Sequence, residues 1–140
     1  MSQTMQFNPK KVVVVYGGIP AIHVEGIKMT PSAPMTTSTV LIDGSEVVNV
    51  SNDNSAEIEV TLAQASATNN IYSADVTAAK VLGTIVFKPF LLKDLNGTTL
   101  MSADQSYLTG YSDVEFGKDS STRVWKIRCS SLKTVIGGHL

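Results

Sequence analysis

At 140 residues the chain has the size of one domain, 1–140, long enough to bury a core without staples. Eleven basic and 12 acidic residues leave a net charge of −1, which excludes the basic stripe of a nucleic-acid binder and a polybasic membrane anchor. A single cysteine, Cys129, excludes an intramolecular disulfide, and a charged fraction of only 16% suits a surface covered by copies or partners.

The N-terminal "MSQTMQFNPKK" has no apolar stretch of the secretory kind, so residues 1–10 are expected to be a flexible terminus of a soluble protein made in the cytoplasm. "KVVVVY" (11–16) reads as a strand ending at Gly17-Gly18. In "IPAIHVEGIKM" the apolar parity slips between Val24 and Ile27, which places a β-bulge at Gly26. Residues 30–39, "TPSAPMTTST", have no period and two prolines, and read as a surface loop or an arm. "TVLI" leads into a two-residue hairpin turn at Asp43-Gly44 and out through "SEVVNVS". "SAEIEVTL" (55–62) alternates, with Ala56, Ile58, Val60 and Leu62 on the inner face.

One helix is expected, over 68–82. Thr68 is its predicted N-cap, Gly83 its stop, and Ile71, Ala74, Ala78, Val81 and Leu82 its buried stripe. "TIVFKPFLLKD" then reads as a strand with two apolar faces, and Pro89 requires a bulge or an edge position. It turns at Asn96-Gly97 into "TTLMSADQSYLTGY". The final strand, "TRVWKIRC", points Trp125, Ile127 and Cys129 inward and Lys126 and Arg128 outward. The expected class is mainly β, a two-sheet antiparallel β-sandwich or barrel with one flanking α-helix.

Groups able to do chemistry are sparse. His23 reads as an outward strand residue and His139 lies at the terminus, so neither serves a nucleophile. Cys129, on the inward parity, reads as a buried thiol. "SNDNS" around Asp53 lacks the spaced acids of a calcium loop, and one cysteine with two histidines cannot build a zinc site. Glu57 and Glu59 share a strand face, about 7 Å apart, and read as solvated rather than as a glycosidase pair. Lys126, Arg128 and Arg123 are too few cations for single-strand binding. No catalytic residue, cofactor or metal is expected.

Three stretches in order, "SNDNSAEIEVTLAQASATNN", "LKDLNGTTLMSA" and "FGKDSSTRVWKIRC", give the chain a resemblance that runs from about residue 11 to the end. It resembles the tail-tube subunits, or short tail structural proteins, of contractile-tailed bacteriophages. That resemblance implies a virion structural protein whose hexameric rings stack into a hollow inner tube inside a contractile sheath. The tube would conduct DNA in transit and the tape-measure protein on sheath contraction. Its further partners would be the sheath, baseplate and tail-terminator proteins, with no membrane. On this basis Thr30, Pro31, Pro34, Met35, Thr36 and Thr37 are candidate inter-subunit contacts, together with Phe90 and Leu92 of the doubly apolar strand. Family members often carry basic residues after the turn matching Asp43-Gly44, where this chain reads "SEVVNV". Two alternatives share the composition: a tube protein of a bacterial injection or secretion device, and a carbohydrate-binding β-sandwich using Tyr107 or Tyr111.

Overall fold

The computed structural model describes residues 12–138, so the expectations for residues 1–10 and His139 lie outside them. In chain order the elements are β1 (Val12–Tyr16), β2 (Ile19–Pro20), β3 (Val24–Pro31), β4 (Thr36–Val40), β5 (Glu46–Val50), β6 (Ala56–Ala63), α1 (Thr68–Leu82), β7 (Lys88–Asp94), β8 (Leu100–Leu108), β9 (Thr122–Cys129) and β10 (Lys133–Val135). An eight-stranded sheet has the order β2-β1-β7-β8-β9-β6-β3, with β10 beside β8; β4 and β5 form a separate two-stranded ribbon. The architecture is the expected one: mainly β, two antiparallel sheets and one helix.

The large sheet folds over its own core. Val12 of β1, next to the end of the strand order, and Val24, Ile27 and Met29 of β3, at the other end, pack on the same apolar cluster. Residues 21–23 step between the ends: the Ala21 N–H donates to the Val14 carbonyl, and the Ala63 N–H to that of His23. His23 takes the step with φ 54°, in the left-handed region. It therefore lies in a bend between strands rather than within one.

Period-2 patterning locates the core where one face is wet. Ala56, Ile58, Val60 and Leu62 of β6 are buried, as are Trp125, Ile127 and Cys129 of the adjacent β9. The predicted bulge appears as a register shift between Val24 and Gly26. A second bulge falls at Pro89, where the β7–β8 register shifts between Lys88 and Phe90. The groups freed there are bonded: the Gly17 N–H reaches the Pro89 carbonyl, and the Ser106 hydroxyl donates to that of Lys88 at 2.6 Å.

Both glycine turns are set differently from the expectation. Gly44 takes φ 87° but Asp43 does not share a positive φ, so this is a longer turn closed by Leu41 N–H to Ser45 O and Gly44 N–H to Leu41 O. At the second hairpin the turn centres on Leu95-Asn96, with the Gly97 N–H on the Asp94 carbonyl. Gly97 is required by crowding: a Cβ there would run into the Gly138 carbonyl, which accepts from the Thr98 N–H.

Helix α1 has the predicted bounds but a different cap and a different buried face. Ala67 occupies the cap position, and the Ser66 hydroxyl accepts from the Thr68 N–H at 3.3 Å. Thr68 is itself buried, its hydroxyl accepting from the Ile22 N–H at 3.0 Å. Gly83 closes the helix in the left-handed conformation, bonded to the Ala79 carbonyl. The buried stripe is Thr68, Tyr72 and Val76. Tyr72 stands edge-on between Tyr16 and Trp125, with ring centroids 5.7 Å from each. Asp75 accepts from the Tyr16 hydroxyl at 3.0 Å and pairs with Lys88 at 2.6 Å, which pins the helix to β1 and β7.

The Tyr72 hydroxyl is buried with no partner among the described residues, and burial pushes its pKa up to about 12. An unbonded buried hydroxyl costs about 1–3 kcal/mol. Tyr72→Phe is therefore expected to leave stability unchanged or raise it; a lower urea midpoint would show that the hydroxyl is satisfied.

Candidate assembly surface

Of residues 30–39, expected as a loop or arm, Thr30 and Pro31 end β3 and 36–39 belong to β4, the first strand of a projecting ribbon called the arm below. Thr36–Val40 pairs with Glu46–Val50 over five residue pairs, from Thr36 opposite Val50 to Val40 opposite Glu46. Every residue of both strands is exposed. Directly opposed residues share a face, so Val40, Val48 and Val50 lie on one side, with Leu41 and Ile42 at the tip. Ile42 is fully exposed. At the base, the Ser51 N–H donates to the Met35 carbonyl, and Arg128 bonds the hydroxyls of Ser32 and Ser55. A lone two-stranded ribbon is marginal in water, and this one carries apolar residues that nothing among the described residues covers.

The proposed contact residues divide. Thr30 and Pro31 end β3, exposed, opposite Glu57 and Ala56. Pro31, Pro34 and Met35 line an open groove of about 610 Å³ at the base of the arm, facing Leu132 and Ile136. Thr36 and Thr37 are on the arm itself. Phe90 and Leu92 are not available for contacts: at 2% and 5% exposure they belong to the core. The reason is that the large sheet folds over its own core, and the face of β7 that carries Phe90 and Leu92 is the one turned to that core. The outer face of β7 carries Leu91, and the apolar residues 85–87 precede the strand.

A second apolar surface was assigned to the interior by the sequence reading. The outer side of α1 carries Ala74, Ala78, Val81 and Leu82, walls of a shallow depression of about 670 Å³. Val81 and Leu82 are 80% and 67% exposed, and Ile85, Val86 and Phe87 continue the exposed surface beyond Gly83. The stripe was visible in the sequence; its direction was not.

The candidates for chemistry do not converge. His23 is exposed, whereas Cys129 is fully buried in the core. Asp53 accepts from both the hydroxyl and the N–H of Ser55, and these bonds hold its carboxyl below the usual range. No cluster of three or more His, Cys, Asp or Glu able to hold a metal occurs among the described residues. Glu57 and Glu59 stand opposite Arg128 and Lys126 across the strand pair, a charge-balanced wet face. Arg123 is buried, its guanidinium bonded to the Ser121 hydroxyl at 2.8 Å and lying over Phe116, so it braces the 112–121 loop. Tyr107 packs edge-on with Phe87, and Lys80 covers the Tyr111 ring. No helix among the described residues is long and apolar enough to cross a membrane.

Burial pushes the Cys129 thiol up to about 11. An ordinary thiol ionises near pH 8.5, so the folded state favours the neutral form. This contribution to stability is intact below about pH 8.5 and is lost as pH rises towards the folded value. Iodoacetamide at pH 8 is expected to leave the native protein unmodified and to label it once denatured; native labelling would place the thiol at the surface.

No family model matches the chain, and no curated protein matches it. Among solved structures, the sheath/tube terminator of an extracellular contractile injection system, PVC, in its extended state superposes with a TM-score of 0.65 at 12% identity, over 96% of this chain and 100% of that one. The tube-terminating cap of the anti-feeding prophage superposes with a TM-score of 0.59 at 8% identity, over 96% and 94%. Both are tube terminators. At these identities the likeness is one of fold, and it extends over nearly the whole of each chain.

Proposed function

We propose that the chain is a structural component of the tube of a contractile tail, forming a ring of identical copies at the tube's end. The observation that carries this is the full-length likeness to two tube terminators, and the sequence resemblance to tail-tube and short tail proteins supports it. The two uncovered apolar surfaces fit a subunit that completes itself by contact with copies. The role is mechanical: it ends the tube, meets the sheath, and leaves a passage for DNA and the tape-measure protein. Its location is the tail of a virion or of an injection particle, put together in the host cytoplasm. A second reading, the stacking tube subunit itself, draws on the three resembling stretches.

Negative-stain electron microscopy of the purified protein, at low and high concentration, separates the readings. Single rings at every concentration are expected of a terminator. Hollow tubes that lengthen with concentration would instead identify the tube subunit. A protein monomeric throughout would overturn both.

A further inference from the structure

The molecule carries two uncovered apolar surfaces of opposite shape. The β4–β5 arm is a projecting ribbon with Val40, Leu41 and Ile42 at and beside its tip. The outer side of α1 bears an open, shallow depression lined by Ala74, Ala78, Val81 and Leu82, with the short polar side chains of Ser73 and Thr77 among them. The two do not meet within one chain, since Ile42 is fully exposed and Val81 is 80% exposed.

Charge distinguishes them as well. The arm carries Asp43 and Glu46, and no Lys or Arg occurs between Lys28 and Lys80. Asp43 accepts from both the hydroxyl and the N–H of Ser45, which lowers its pKa and keeps it ionised. The depression ends beside Lys80, which lies over the Tyr111 ring and makes no ion pair among the described residues.

We infer that the arm tip of one copy docks along the outer face of α1 in the next, with Ile42 against Val81 and the arm's acidic residues beside Lys80. The occupant is a second copy of this chain, because apolar finger and apolar shelf, and acid and cation, complement each other on the same sequence. Joining two different surfaces of identical subunits is a heterologous contact, which closes into a ring when the rotation allows. The inference rests on the ring reading above for that closure, and on the two surfaces for its chemistry.

Disulfide trapping tests it. Ile42→Cys protein is mixed with Val81→Cys protein under mild oxidation; both positions are exposed, so folding is unaffected, and a bond forms only if the Cα atoms approach within about 7 Å. A linked heterodimer is expected, with a ladder of higher species from the double variant and no comparable product from either single variant. Lys80→Glu is expected to lower the yield and Glu46→Lys to restore it. Rings by microscopy without the 42–81 link would overturn this docking while leaving the ring reading intact. The link without rings would uphold the docking and overturn the ring. Neither link nor rings would overturn the docking.

Discussion

Trp125→Ala is expected to destabilise the subunit by about 3–5 kcal/mol. Trp125 is 4% exposed and stands edge-on to Tyr72, and its indole N–H donates to the Asn69 side-chain oxygen at 2.9 Å. The substitution removes the largest ring of β9, the partner of Tyr72, and the bond that ties the first turn of α1 to the sheet. A loss of this size is a large share of the roughly 5–15 kcal/mol that holds a domain of this size folded, so reduced soluble yield is expected as well. Urea unfolding followed by far-UV circular dichroism measures it. A loss below about 1 kcal/mol, the level of an ordinary surface substitution, would mean that the helix does not seat on this ring.

Excising the arm is expected to do the opposite: spare the fold and abolish assembly. Met35 and Ser51 are already bonded across the base at 2.7 Å, so replacing residues 36–50 by an Asn-Gly turn closes the gap without strain. Every residue of β4 and β5 is exposed, and none belongs to the core cluster. The urea midpoint should therefore move by no more than about 0.5 kcal/mol equivalent. Sedimentation should find only the monomer under conditions where the intact chain forms rings. Intact rings from the excised protein would remove the arm from the assembly surface.

Strand parity was legible wherever one face of a strand is buried and the other wet. β6 and β9 alternate in sequence because they alternate in burial, and the slips at Gly26 and Pro89 mark the two bulges. The hairpin around Asp43-Gly44 was legible from "TVLI" and "SEVVNVS", but the first three residues of β4 were not, for the same physical reason reversed. Neither of its faces is buried, so "TTSTV" carries no alternation, and only its β-branched residues hint at strand. The helix shows the other limit. Pattern reveals that an apolar stripe exists but not what covers it: the fold buries the Thr68–Tyr72–Val76 line, about a third of a turn from the Ala-rich stripe. Tyr72 was the available signal, because a large ring three residues from Asn69 and facing Trp125 fills more space than alanine can. Phe90 and Leu92 are buried rather than offered for contact because, in a strand apolar on both faces, local sequence does not say which face turns to the core. The arm residues were found by their prolines and lack of period, and the shelf on α1 was missed because it was credited to the core.

The strand order also governs when folding can finish. β6 lies between β3, made before it, and β9, made only after α1, β7 and β8, with Ala56 opposite Cys129. One of the two edges of β6 stays unpaired, and Trp125 is missing, until β9 emerges. Pairings this distant in sequence close slowly. A nascent chain stopped before Thr122 should therefore remain open to protease, with the valine-rich arm already synthesised and the body that carries it not yet formed. If copies join into a ring, they become competent to do so only once β9 has paired with β6, which separates the making of the arm from its use in time.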